Sequence, residues 1–228
     1  MGMPRAAYQT DLETLREDVL YMSELVVDRL RSALAALEGK DTDLAHTVIN
    51  GDNEINELYL DLEADCIDLL ALQQPVASDL RFITASFKLL TDLERIGDLA
   101  ANLAEYSLAA THGVAPEVDV QAIGTAVIEM IEDAMLAYAE EDIDACYALA
   151  DRDDAVDEGC AAASEAVVRE LIQRDVESDA EAVDLEGILD DVSRLLLTVR
   201  DLERIGDHAV NIASRTLYMV ENDAELLY

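Results

Sequence analysis

Asp-Leu-Glu-Arg-Ile-Gly-Asp occupies residues 92–98 and returns without a change at residues 201–207. Each copy continues into an Ala-x-Asn-aliphatic-Ala segment, at residues 100–104 and 209–213. Seven identical consecutive residues rarely recur by chance, so the chain is an internal duplication. The duplicated unit is an acidic segment that contains a glycine and has the spacing of a helix.

The duplication extends upstream of the heptapeptide. Residues 41–43 align with residues 142–144, and residues 52–57 align with residues 153–158. These alignments have a smaller offset than the two heptapeptides, so the second half carries about eight more residues between its matched segments. We expect this insertion around residues 177–184.

The composition favours helices. Of the 228 residues, 51% are hydrophobic and only 4% aromatic, tryptophan is absent and prolines number three. Such a chain suits helices better than a sandwich or a barrel. Helix-breaking residues and an Asp41 N-cap divide it into helical stretches. We predict six, at about residues 10–37, 41–73, 76–110, 117–139, 142–174 and 179–220.

Short connections between long helices favour antiparallel neighbours. We therefore predict an all-α fold of two tandem, pseudo-symmetric three-helix bundles, packed as one elongated body. The first bundle comprises residues 1–113 and the second residues 114–228, with the junction near Gly113 to Pro116.

The chain is strongly acidic. It has 51 acidic and 15 basic residues, a net charge of −36, and only two lysines, Lys40 and Lys88. Self-repulsion strains such a protein in dilute buffer, whereas about 1 M salt shortens the Debye length to about 3 Å. We expect a protein from a salt-rich cytoplasm that does not bind nucleic acid, which requires a basic surface. A partner-binding or cation-buffering surface is the alternative, although the acids are spread along the chain.

Cysteine usage and hydropathy indicate a cytoplasmic protein. Cys66, Cys146 and Cys160 are odd in number and form no Cys-x-x-Cys motif, which favours reduced thiols packed in helix cores. The first ten residues lack the apolar core of a signal peptide. No uncharged apolar run approaches the roughly 18 residues of a membrane span. We expect no direct membrane insertion.

Carboxylates form a column on one face of each heptapeptide helix, because positions four apart share a face. These columns lie opposite the apolar stripe and comprise Glu94, Asp98 and Asn102 in the first half and Glu203, Asp207 and Asn211 in the second. Two upstream pairs have the same spacing, Asp52 with Asn56 and Asp153 with Asp157.

Two unfavourable features recur at this place in both halves. Like charges four apart cost a few tenths of a kcal/mol, and Gly97 and Gly206 cost about 1 kcal/mol each relative to alanine. A bound cation would offset the repulsion, and a glycine would let a ligand or another backbone approach. Oxygen ligands suit Mg²⁺, Ca²⁺, Mn²⁺ or iron better than zinc, which prefers cysteine and histidine. The pattern therefore predicts a metal site.

The same residues have other interpretations. In so acidic a chain a Glu-x-x-x-Asp column is often a solvated face, and Arg95 could pair with Asp92 and Asp98 for under ~1 kcal/mol. His208 could join a metal site, although a surface or packing role is more common. Glu-x-x-His, His-Glu-x-x-His and glycine-rich phosphate-loop motifs are absent, which disfavours catalysis. The alternatives are a carboxylate-bridged metal-dependent hydrolase and a metal-free helical scaffold.

Residues 75–83, Pro-Val-Ala-Ser-Asp-Leu-Arg-Phe-Ile, precede the first heptapeptide. Together with the two heptapeptides they resemble the PhoU family of phosphate-uptake regulators, in an acidic, haloarchaeal-like version. The resemblance covers about residues 10–220 and implies two tandem three-helix bundles. It also implies multinuclear metal clusters on the bundle surface, with iron as the family's usual metal and Mg, Mn or Zn as alternatives.

The resemblance places the metal ligands on pairs of residues one helical turn apart. These are Glu94 with Asp98, Glu203 with Asp207, Asp153 with Asp157, and Asp52 with Asn56, with Asn102 and Asn211 as further support. Asn56 departs from the family pattern and removes one anionic ligand from the first half.

The resemblance also implies a regulatory role without catalytic residues. PhoU-like proteins restrain the high-affinity phosphate transporter through its ATPase subunit, and many also signal to a membrane sensor kinase. We expect this chain to be a negative regulator of phosphate uptake and a homodimer or higher assembly.

Overall fold

Six α-helices account for most of the described chain. The computed structural model describes residues 5–73, 75–109, 118–177 and 185–222, and no strand occurs within those ranges. The helices are α1 (Arg5–Gly39), α2 (Thr42–Gln73), α3 (Ala77–Ala109), α4 (Val120–Glu140), α5 (Ile143–Glu177) and α6 (Leu185–Glu221). α1 begins five residues before its predicted start. The predicted bundle junction at residues 113–116, most of the predicted insertion and the predicted start of the sixth helix lie outside the described residues.

The helices pack as two bundles of three. α1, α2 and α3 contact one another, as do α4, α5 and α6. α3 also packs against α6, and α1 against α4, and the larger hydrophobic cluster contains residues of both bundles. The predicted all-α fold with two tandem bundles is confirmed, and the two heptapeptide helices are direct neighbours.

The buried face of each heptapeptide helix follows the predicted apolar stripe. Leu89, Leu93, Ile96, Ala100 and Leu103 are buried in α3, and Leu202, Ile205, Ala209 and Ile212 are buried in α6. Each fully buried Leu or Ile contributes roughly 1.5–3 kcal/mol. The three cysteines are buried free thiols, as predicted for small core residues. Over the described residues, none of the helices has the apolar length needed to cross a bilayer.

The first connection of each bundle has the same backbone conformation and the same type of helix cap. Lys40, after α1, and Glu141, after α4, adopt left-handed φ values of 50° and 57°. The next residues, Asp41 and Asp142, cap the following helix through Oδ1, which accepts a backbone N–H three residues on at 3.0 and 3.1 Å. A left-handed residue followed by an aspartate N-cap reverses the chain within a few residues. This geometry places α1 antiparallel to α2 and α4 antiparallel to α5.

Candidate metal site

The adjacent helices α5 and α6 carry four carboxylates that influence one another. This second carboxylate group comprises Asp153, Asp157, Glu203 and Asp207. Burial raises the pKa of Asp153 to about 6, and the charges of Asp157 and Asp207 add to the shift. Burial and then Asp157 also raise the pKa of Glu203 and of Asp207. The carboxylates are therefore close enough across the helix pair to disfavour their joint ionisation.

One carboxylate oxygen of this group is buried without a hydrogen bond to the described residues. Asp153 Oδ1 has no hydrogen-bond partner among the described residues. It lies 3.2 Å from the position that a Cβ would take at Gly206. The heptapeptide glycine thus leaves room for a carboxylate of α5 against α6. A buried oxygen without a partner costs about 1–3 kcal/mol, and such an oxygen can serve as a ligand to a hard cation.

The first carboxylate group, on α2 and α3, comprises Asp52, Asn56, Glu94 and Asp98. Asp52 Oδ1 likewise lacks a partner within the described ranges, whereas Asp52 Oδ2 accepts a hydrogen bond from Asn56 Nδ2 at 2.8 Å. Arg95 contacts the other two members, with Nη1 3.0 Å from Asp98 Oδ2 and Nε 3.5 Å from Glu94 Oε2. Burial and then Asp98 raise the pKa of Glu94, and Arg95 opposes that rise.

The chemistry of these residues fits a hard cation. All their potential ligands are oxygens, and the partnerless Asp oxygen occurs at the equivalent place in both halves. As the side chains stand, however, no three His, Cys, Asp or Glu side chains of the described chain are grouped closely enough to hold an ion. Metal binding would require the carboxylates to turn towards one another, and the metal site remains a prediction.

The first residue of each heptapeptide lies in the contact between the bundles. Asp92 is 7% exposed, and its Oδ1 lies 2.9 Å from Nδ1 of His208 on α6. The predicted pairing of Arg95 with Asp92 is wrong, because Asp92 faces α6 while Arg95 lies at the surface with Glu94 and Asp98. His208 has an 18% exposed side chain and packs between the helices, which was one of the two roles expected of it.

Asp201, the counterpart of Asp92, is also buried in this contact. Its Oδ2 accepts hydrogen bonds from Tyr106 Oη at 3.0 Å and from Asn102 Nδ2 at 3.5 Å. Asn102, predicted to support the metal column, therefore reaches across to α6, while Asn211 is half-buried on α6. The sequence did contain a signal for Asp92 and Asp201, because each lies among apolar positions spaced three and four apart.

The helices and motifs described above recur in known proteins. The PhoU domain family matches residues 19–107 and 120–216, one region in each bundle. The phosphate-specific transport system accessory protein PhoU homolog of Pseudomonas aeruginosa is 36% identical over 216 residues, which cover 93% of this chain and 85% of the relative. The homolog of the same name from Clostridium acetobutylicum is 32% identical over 223 residues, 96% of each chain.

Solved structures agree with these matches. PhoU from Pseudomonas aeruginosa superposes with a TM-score of 0.83 at 34% identity, over 95% of this chain and 100% of that one. The phosphate transport system regulatory protein PhoU from Streptococcus pneumoniae has a TM-score of 0.83 at 27% identity, over 95% and 98% of the two chains. With both repeats matched and the fold shared over nearly its whole length, the chain belongs to the PhoU family.

Proposed function

We propose that this chain is a regulatory accessory protein of a phosphate-specific transporter. It restrains phosphate uptake by contacting the transporter's ATPase subunit in the cytoplasm, and it acts as a homodimer or higher assembly. The support is family membership across both bundles, together with relatives that are named phosphate-specific transport system accessory proteins. A membrane sensor kinase is a second partner wherever the organism has one.

The two carboxylate groups are the metal-binding surface of this regulator. The observation that carries this part of the proposal is the buried, partnerless Oδ1 of Asp52 and of Asp153, at equivalent places in the two halves. Asp157, Glu203 and Asp207 complete the ligands of the second half. Iron is the metal favoured by family resemblance, with Mg, Mn or Zn as alternatives.

Bound cations supply positive charge on a surface that is otherwise acidic. The chain's own part is to hold the carboxylates on two packed helices, from which their side chains can turn towards one another around a cation. Because the net charge is −36, an acidic or phosphate-bearing partner is repelled by most of the molecule. The loaded carboxylate groups are then the surface that such a partner can approach, and metal loading sets the affinity.

The test removes one central carboxylate from each group. Glu94→Ala combined with Glu203→Ala should lower the metal content of protein purified in molar KCl without chelator or affinity metal, as counted by plasma mass spectrometry. The same variant should bind the ATPase subunit at least about tenfold more weakly, a loss of about 1.4 kcal/mol. The matched control is Glu105→Ala with Glu186→Ala, which removes the same charge from exposed positions of α3 and α6. The proposal fails if the Glu94 and Glu203 variant keeps the metal and partner affinity of the wild type.

A further inference from the structure

We infer that the two carboxylate groups are not equivalent. Arg95 acts as a built-in cation in the first group, so that metal loads the second group first and more tightly. This inference rests on the proposed metal role and deepens it by naming the half of the molecule that carries the metal at low metal concentration.

The two groups differ first in formal charge. Asn56 stands where the second half has Asp157, so the first group has three carboxylates and the second has four. Asn56 also donates a hydrogen bond of 2.8 Å to Asp52 Oδ2. One oxygen of Asp52 is therefore already occupied, and a metal could recruit it only by breaking that bond.

The heptapeptide arginine has different partners in the two halves. Arg95 lies 3.0 Å from Asp98 and 3.5 Å from Glu94, the two carboxylates of its own column. Its counterpart Arg204 turns to the buried Asp201, with Nη1 3.5 Å from Oδ1. Within the described residues Arg204 makes no ion pair with Glu203 or Asp207, and it acts on Asp207 only as a weaker, longer-range charge.

The contacts between the bundles also differ. In α3, Asp92 Oδ1 lies 2.9 Å from His208 Nδ1, its Oδ2 is buried without a partner among the described residues, and Arg95 pairs with the surface carboxylates. In α6, Asp201 Oδ2 accepts a hydrogen bond from Tyr106, and Asp201 Oδ1 pairs with Arg204. The residue equivalent to His208 in the first half is Leu99, which cannot bond a carboxylate. The repeated sequence therefore produces two sites of different charge.

The consequence for affinity follows from electrostatics. A cation entering the first group meets three carboxylates and must displace a guanidinium. The second group offers four carboxylates, and no arginine of the described residues makes an ion pair with them. Arg95 is half-exposed, which limits its own effect, but the missing carboxylate acts in the same direction. We expect the first group to bind a divalent cation at least about tenfold more weakly than the second.

The test is a titration of chelator-stripped protein with Mn²⁺ in molar KCl, with free Mn²⁺ followed by electron paramagnetic resonance. Wild-type protein should show a tight and a weak class of sites. Asn56→Asp with Arg95→Gln should convert the weak class into a tight one, whereas Asp157→Asn with Glu203→Gln should abolish the original tight class. Arg204→Gln is the matched control, because it removes the equivalent arginine from the other half, and it should change either class by less than about threefold. Circular dichroism verifies that each variant is folded.

Two results would overturn the inference while leaving the proposed metal role in place. One is a single class of equal sites in the wild type, and the other is loss of the tight class on Asp98→Asn instead of on the Asp157 and Glu203 changes. Failure of every folded variant to bind Mn²⁺, and Fe²⁺ under anaerobic conditions, would instead defeat the proposed metal role and this inference with it.

Discussion

At the scale of single residues, Asp153 shows how burial and neighbouring charges raise the pKa of a carboxyl group. One of its oxygens is buried against α6 beside Gly206, without a hydrogen-bond partner in the described chain. Burial, followed by Asp157 and Asp207, raises its pKa from 3.8 to about 6. The folded chain therefore binds a proton at pH values where the unfolded chain has released it. The resulting stabilisation is full below pH 3.8 and is lost as the pH rises through about 6.

We expect metal-free protein to lose stability between about pH 4 and about pH 7 partly through this side chain. Asp153→Asn should remove about 1 kcal/mol of that loss, a value reduced for solvent screening of a partly exposed group. The measurement is urea denaturation across this pH range in molar KCl with a chelator present. Asp151→Asn is the control, since it deletes the same charge from an exposed position of the same helix that does not contribute to the shift. An unchanged pH slope in Asp153→Asn, or an equal change in both variants, would contradict the prediction.

Prediction from the sequence succeeded for side-chain burial, which follows from spacing along a single helix. The i, i+4 columns identified Glu94, Asp98, Glu203 and Asp207 as non-core positions. The roles of Asp92 and Asp201 were missed because their partners, His208 and Tyr106, come from the other bundle. No spacing rule within one helix shows which helix will lie opposite. Similarly, the identical heptapeptides do not predict that Arg95 and Arg204 have different partners.

At the scale of helices, α1 and α4 approach each other closely at Gly124. A Cβ placed there would lie 2.6 Å from Cδ1 and 2.7 Å from Cδ2 of Leu34. Leu34 is only 4% exposed, so its methyl groups have little free space into which to move. Gly124 therefore permits a contact between the two bundles that any larger side chain would push apart.

Gly124→Ala should destabilise the protein by about 1–2 kcal/mol, since overpacking costs about 1–3 kcal/mol and helix propensity returns up to about 1 kcal/mol. Chemical denaturation in molar KCl measures this change. Gly159→Ala in α5 is the matched control, because no atom lies within 4 Å of its would-be Cβ, and it should be neutral or stabilising. Leu34→Ala should cost less in the Gly124→Ala background than in the wild type, which is a favourable coupling between the two positions. A neutral Gly124→Ala would show that α1 and α4 are not closely packed at this point.

Helix ends were predictable where the breaking residue has a simple stereochemical reason. Gly39 and Asp41 bracketed the first turn correctly, and α2 ends at Gln73 as expected. The turn after α4 was also predicted to within one residue, although the residue in the left-handed conformation is Glu141 and no glycine accompanies it. The backbone N–H of Glu141 donates to Ala137 O, and its side chain pairs with Arg16 of α1 at 2.7 Å.

At the scale of the whole molecule, ion pairs compensate only a small part of the charge. Arg16 and Arg31 of α1 join the bundles through Glu141 and Glu132, at 2.7 and 2.5 Å. Their side chains are 29–50% exposed, and such pairs contribute under about 1 kcal/mol each. Fifteen basic residues cannot neutralise 51 acidic ones. Long-range repulsion between carboxylates therefore opposes folding wherever the solvent does not screen it.

The stability of the protein should consequently depend on salt. Between about 0.1 M and about 2 M KCl the Debye length falls from about 10 Å to less than 3 Å, and we expect Tm to rise by about 10 °C or more. Circular dichroism in the presence of a chelator measures this rise without a contribution from bound metal. Screening predicts that most of the gain occurs below about 1 M KCl, whereas exclusion of salt from the protein surface would give a steady increase at higher concentrations. A Tm that does not change over this range would mean that repulsion between the surface carboxylates does not destabilise the fold. The carboxylates would then have another role, such as binding cations or a partner over the whole surface.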